Sequence, residues 1–412
     1  MRPRLGRKSG VLLVHPGTQH SFNLARQLSA NGLLSGFWTG FAIHRGGVLF
    51  RVLQSDTLPF SRDAIANRVI DGIPGPLLHT WPWIEFSALA RIRSGQDPQA
   101  VMHERNRRFQ EAIPDAAFER ARSVIGFDTS SWILATRAAS AGLPLLLDRS
   151  APPPAHARSL FNVLAQKYPD WSDDFRPRIP TVAEAERREH EDAACIVVAS
   201  SFTRRCLVES GVAAGKICVI PYGVDANAFA PGEDRPRTGG IRFLYAGPVN
   251  ARKGVPLLLD AWRALDAKDC VLTLVGSVAK YRQALIAGIT GVDPRGRVPH
   301  AGMPGVYSSH DVLVFPSYHD GFGLVILEAM AAAIPVIATQ ATAAPDLIAD
   351  GEDGYVIPVG DATALAERMS WFVRDRDGAR RMGRAAREKA RQYSWEKYGT
   401  AWARLLAEKG FA

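Results

Sequence analysis

Cysteine is scarce in this chain and badly spaced for chemistry. There are four, Cys195, Cys206, Cys218 and Cys270, and no two stand in a C-x-x-C pair. That spacing fits neither a zinc site nor a disulfide framework, so the four read as buried free thiols of a reducing compartment. Long hydrophobic runs are also missing. The basic stretch 1–10 is followed by an apolar segment, 11–14, too short for the core of a signal peptide. The longest apolar stretch, 323–344, is interrupted by Glu328 and Pro335 and reads as a buried helix running into a buried strand rather than a membrane span. No G-x-G-x-x-G fingerprint and no His/carboxylate group at metal-ligand spacing is present, so neither a dinucleotide cofactor nor a metal is expected. Nucleic-acid-binding motifs are absent as well, and no nucleic-acid partner is expected, although the net charge is +9.

What is present points to a two-domain globular protein. The chain has 412 residues, more than one hydrophobic core usually serves, with 47% hydrophobic and 22% charged residues. Its cations gather locally at 2–8, 105–108, 187–188 and 374–391. These clusters read as solvated helix faces, with weak attraction to an anionic membrane surface as the next reading. The sequence therefore suggests a cytoplasmic protein, with peripheral contact at the inner membrane face left open.

Short apolar runs alternate with amphipathic stretches, the pattern of parallel βαβ units. VLLVHPG (11–17), SVIGF (123–127), LPLLLD (143–148), AACIVVAS (193–200) and KICVIPYG (216–223) read as strands. NLARQLSANG (23–32), 130–142 and 202–211 read as helices, the first two closed by Gly32 and Gly142. Residues 226–240 are rich in Pro, Gly and charge and read as a linker. The alternation then restarts, with strands at 241–247, 270–276, 312–317 and 335–339 and helices at 255–265, 280–289 and 323–333. The expected organisation is an α/β protein of two doubly wound, Rossmann-like domains facing across a cleft. Residues 1–225 form the first, 241–392 the second, and a terminal helix in 393–412 packs back on the first through Trp395, Tyr398, Trp402 and Leu405. Ligands of such sheets sit off the carboxyl ends of the strands.

The strongest constellation is Asp320-Gly-Phe-Gly-Leu-Val-Ile-Leu-Glu328. It joins a strand to a helix whose unpaired N–H groups and positive dipole end suit a phosphate or a sugar hydroxyl. Gly321 and Gly323 allow backbone to approach a ligand, with Phe322 and Leu324 between and after them. The second is Gly247-Pro-Val-Asn-Ala-Arg252-Lys253-Gly254, two adjacent cations at a strand-to-helix turn, suited to gripping a diphosphate. The third is HPGTQHS (15–21), a turn with Gly17 between His15 and His20.

The stretch FPSYHDGFGLVILEAMAAAIPVIAT resembles the signature of the large retaining glycosyltransferase family with a Glu-x7-Glu motif, family four, also called glycosyl transferases group 1. The resemblance runs from residue 195 to the end, through PYGVDANAF (221–229) and DLIADGEDGYVIPVGD (346–361), while 40–120 matches nothing recognised. It implies the GT-B fold and a nucleotide diphosphate sugar as donor, with Glu328 on the ribose hydroxyls and Asp320, in place of the first Glu, at the donor sugar. Lys253 matches the family's diphosphate-binding Lys. Pro248 holds the place of its Arg, for which Arg252 is the substitute. Gly17 stands in the family's glycine-rich loop, and Thr342–Ala343 replace a usual glycine pair. Where many relatives place a histidine near the reaction centre, LLLDRSAPPPAHARS (145–159) has Asp148, Arg149 and His156, whose roles stay open with those of His15 and His20. The expected activity is retaining transfer of a sugar, a hexose by expectation, to a glycan, lipid-linked or small-molecule acceptor without a metal. A GT-B epimerase or phosphorylase, or a non-catalytic nucleotide-sugar-binding scaffold, is the alternative.

Overall fold

The computed structural model describes residues 10–18, 20–45, 50, 68–175, 177–231, 239–265 and 269–412. The cation cluster 2–8 and, within the expected linker, residues 232–238 lie outside the described residues.

Apolar runs become strands buried on both faces, as parallel sheets require. Among the described residues the first sheet holds β1 (Val11–His15), β2 (Leu34–Thr39), β5 (Leu78–Thr80), β6 (Ser123–Phe127), β7 (Leu145–Arg149), β8 (Cys195–Val198) and β9 (Ile217–Val219). Its order is β5-β2-β1-β6-β7-β8-β9, with every pairing parallel. Two short strands, β3 (Ile43–His44) and β4 (Val69–Ile70), pair beside it. The second sheet holds β10 (Arg242–Ala246), β11 (Val271–Val275), β12 (Val292–Gly296), β13 (Val312–Phe315), β14 (Val336–Thr339) and β15 (Gly354–Ile357), in the order β12-β11-β10-β13-β14-β15 and again parallel. Both sheets thus turn outward in opposite directions from a central pair, β1/β6 in one and β10/β13 in the other. Those pairs are the switch points where a doubly wound sheet opens a crevice at its carboxyl edge.

One apolar cluster joins the two layers, running from Leu13 and Phe127 through Tyr222 and Phe229 to Phe322, Leu244 and Trp402. The helix Trp395–Glu408 begins at Ser394, whose side chain accepts from Lys397 N, and buries Tyr398, Trp402, Leu405 and Leu406. It packs on the helix Ser21–Ala30, where Gly399 lets the Gln27 side chain lie against the backbone.

Two sequence readings change. The helix expected at 280–289 is a 3-10 turn, Lys280–Arg282, and a single turn, Gln283–Ile286; Gly288 and Gly291 take positive φ and end it early. The cluster 105–108 is not uniformly solvated. Arg105 is buried and donates to Glu85 Oε2 at 2.6 Å, because a lone guanidinium under the helix Pro82–Arg93 needs an anion.

Candidate active site

The turns after β10 and β13 are laced together. Arg252 O accepts from Tyr318 N at 3.0 Å and from Ser317 Oγ at 3.4 Å, and Arg252 Nη1 donates to His319 O at 2.9 Å. Gly254 makes this approach possible. It has φ +77°, and a Cβ there would collide with the Pro316 carbonyl. The lacing brings Lys253 Nζ into an ion pair with Asp320 Oδ2, both side chains nearly buried, with the Phe315 ring 5.2 Å from the ammonium. Burial alone would raise the Asp320 carboxyl. Lys253, then Arg252 and the Phe322 N–H, outweigh it and hold the group below the ordinary aspartate value.

The 320–324 turn has a second set of partners on the first sheet's side. A Cβ on Gly321 would strike the Ser150 carbonyl, and Gly321 O accepts from Ser200 Oγ at 2.5 Å and Thr203 Oγ1 at 3.1 Å. Gly323 has φ +81° at the start of the helix Leu324–Ala331, with Phe315 under the place of its missing Cβ. These glycines therefore serve close packing of the protein on itself, a reason the sequence did not reveal. Phe322 is buried against Tyr222, ring centroids 5.0 Å apart, and Leu324 is half-buried. Glu328, in the second turn of that helix, accepts from Tyr307 OH at 2.8 Å and faces His300 Nε2 at 3.2 Å. The hydrogen bond to Glu328 raises the His300 pKa against an opposing effect of burial.

Arg252, Lys253, Asp320, Gly321, Phe322, Gly323, Leu324 and Glu328 thus share two adjacent turns and one helix. Gly17 stands apart, on the first sheet after β1. A Cβ there would lie 2.8 Å from His15 Nε2, so the His15 ring would have to shift to admit a side chain at this position. His15 is buried on Phe127 (4.3 Å), and burial, then His20 and Arg105, lower its pKa well below the ordinary imidazole value. Asp148 accepts from His20 Nε2 at 2.9 Å. Arg149 points elsewhere, donating to Ala151 O at 2.8 Å and toward Glu186. His156 pairs with Glu209 and stacks 6.2 Å from His319. Sequence reasoning missed Tyr307, His300, Tyr222 and Asp174. The last accepts from Ala251 N at 2.7 Å and from Arg282 at 2.7 Å, bracing the cation turn from the segment 169–175. None carries a local motif; only the assembled turns reveal them. Among the described residues no three His, Cys, Asp or Glu side chains gather as a metal-binding group.

The two sheets, their switch points and the facing turns define a GT-B fold of the glycosyltransferase type. Residues 240–375 match the family model for Glycosyl transferases group 1. The chain is 30% identical to the D-inositol 3-phosphate glycosyltransferase of Corynebacterium efficiens, over 47% of this chain and 51% of that one. It is 31% identical to the phosphatidyl-myo-inositol mannosyltransferase of Mycobacterium leprae, over 50% and 57%. It is 27% identical to a sulfoquinovosyl transferase of Arabidopsis thaliana, over 50% and 43%. The chain spans about half the length of these curated relatives. Its fold matches the sucrose-phosphate synthase of Thermosynechococcus elongatus with a TM-score of 0.65 at 22% identity, covering 97% of this chain and 98% of that one. It also matches the Anabaena protein HepE, solved with UDP, with a TM-score of 0.64 at 16% identity, covering 97% and 100%.

Proposed function

We propose that the chain is a retaining glycosyltransferase that moves a sugar from a nucleoside diphosphate sugar to an acceptor hydroxyl on a glycan, a lipid-linked or a small molecule. The observation that carries this is the Lys253–Asp320 pair with Arg252 beside it, set before a helix that bears Glu328. The two cations, Asp320 and Glu328 are what a diphosphate, a sugar and a ribose require in that order. Relatives named as glycosyltransferases, and a fold neighbour solved with UDP, support the reading.

The hard step is departure of the diphosphate from the anomeric carbon. Negative charge grows on the leaving oxygen, and preorganised donors aimed at it lower the barrier, the loss of a single one costing about 3–4 kcal/mol. Arg252, Lys253 and the N–H groups of the 321–324 turn are those donors. Asp320 holds the sugar's hydroxyls, and Glu328 takes the ribose in exchange for His300. In a front-face route the C–O bond to phosphate breaks, the acceptor oxygen bonds the same face, and its proton goes to the departing phosphate. No metal is assigned a role. Arg252→Ala with Lys253→Ala should abolish turnover in a well-folded protein; full activity would sink the diphosphate assignment.

Contact with an anionic membrane is part of the proposal. No helix of the described residues is long and apolar enough to cross a membrane. The helix Pro82–Arg93 exposes Trp83 (78%), Phe86 (45%) and Leu89 (40%), with Arg91 and Arg93 in its last turn and its one carboxylate, Glu85, turned inward onto Arg68 and Arg105. Apolar side chains edged by cations suit an anionic bilayer surface.

A further inference from the structure

The ends of β1 and β7 carry a buried pair that donor handling leaves unused. His20 donates its Nε2–H to Asp148 Oδ2 at 2.9 Å, since a carboxylate has no proton to offer. The ring is thereby held in the tautomer whose Nδ1 is a bare acceptor. Asp148 is fixed by a second donor, Tyr398 OH, at 3.3 Å from the terminal helix. The imidazole lies 4.2 Å from the Tyr222 ring and 5.3 Å from Phe127. Tyr222 in turn touches Phe322, two residues from Asp320. Its hydroxyl is buried without a hydrogen-bond partner among the described residues. Burial first, then the charges of Asp148, Asp128 and Asp320 among others, keep that phenol protonated. A buried imidazole hydrogen-bonded to a carboxylate and an orphaned hydroxyl cost stability, and apolar side chains would pack this position better. Their place is the carboxyl edge of the first sheet, across from the Lys253–Asp320 turns, where a second substrate must enter.

We propose that His20, oriented by Asp148, binds a hydroxyl of the acceptor other than the one that attacks, with Tyr222 OH donating to the same group. The acceptor is then a polyol or sugar with at least two hydroxyls, one anchored on the first sheet and one delivered to the anomeric carbon. This rests on the glycosyl-transfer reading above. His20 and Tyr222 touch the substrate, and Asp148 is a positioning residue.

The test uses the full chain labelled with 15N at histidine and saturated with whichever of UDP, GDP or ADP stabilises it most. Myo-inositol, glucose and glycerol are titrated in turn, with propan-1-ol as the single-hydroxyl control, while the His20 ring nitrogens are followed by long-range 1H–15N NMR. The expected result is an Nε2–H tautomer and an Nδ1 resonance that moves saturably with at least one polyol and not with propanol. Asp148→Asn should weaken the polyol by about ten-fold or more, the worth of one hydrogen bond to a buried group, and leave diphosphate affinity unchanged. Tyr398→Phe, which removes the other bond to Asp148, should keep both tautomer and polyol binding. An Nδ1–H tautomer, or a resonance that ignores every polyol while the diphosphate is bound, overturns the proposal. Absence of diphosphate binding by the unaltered chain would instead overturn the donor-site reading.

Discussion

Lys253 and Asp320 meet as an ion pair although 67 residues separate them and each ends a different strand-to-helix turn. The pair lies at the switch point of the second sheet, so the charges that would grip a diphosphate sugar are already neutralised and oriented. Donor binding exchanges partners and does not bury bare charges, which limits the desolvation cost of holding two ions out of water.

That relationship can be measured as a coupling. Lys253→Met and Asp320→Asn should each destabilise the fold by about 1–3 kcal/mol, and the double variant should lose clearly less than the sum. Urea unfolding of the four proteins in the cycle gives the answer; simple additivity would mean that the pair contributes nothing. The sign with pH follows from the lowered Asp320 value. Its contribution is fully present above the ordinary aspartate pKa of 3.8 and is lost as pH falls through the lower folded value.

Gly321→Ala should disturb both layers at once. The new methyl would meet the Ser150 carbonyl, while Ser200 and Thr203 hold Gly321 O from the same side. A loss of about 1–3 kcal/mol is expected from such overpacking. Gly215→Ala, with open space around it and no positive φ, is the control and should be nearly silent in the same melting experiment.

His300 should make nucleotide binding depend on pH. Its hydrogen bond to Glu328 raises its pKa, so the pair's contribution to stability is complete below the ordinary value of 6.5 and fades as pH climbs through the raised folded value. Above that range Glu328 is released to accept ribose hydroxyls. Diphosphate affinity, measured calorimetrically, should therefore rise with pH more steeply in the native chain than in His300→Gln. Parallel slopes would show that His300 does not compete for Glu328.

The exposed helix face predicts a surface interaction. Trp83→Ser with Phe86→Ser should abolish co-sedimentation with phosphatidylglycerol vesicles, and phosphatidylcholine vesicles should bind the unaltered chain weakly. Equal binding by the double variant would assign vesicle contact to another surface.

Much of the fold was legible because parallel strands are buried on both faces and so spell unbroken apolar runs. SVIGF coincides with β6, and VLLVH and VIAT mark β1 and β14 within the stretches read as strands. β12, with the sequence VDPRG, is half-exposed at a sheet edge and has no such signature. Of the site, the contiguous signals could be read directly: Asp320 to Glu328, and Arg252 with Lys253. The remaining partners arise from pairings over long separations, such as Tyr398 with Asp148 across 250 residues. Glycine was the least complete signal. Gly321 and Gly323 read as backbone opened to a ligand, and the structure adds that Gly17, Gly321 and Gly323 also lie against His15, Ser150 and Phe315.

The most direct test of the donor site is thermal denaturation with UDP, GDP, ADP and their sugars, on the native chain and on Glu328→Ala. The account predicts that one nucleotide family stabilises the native chain, by about 2.7 kcal/mol at a hundredfold excess over Kd, and that Glu328→Ala loses most of the shift. A folded native chain that no nucleotide stabilises, or a shift that Glu328→Ala retains in full, would contradict it.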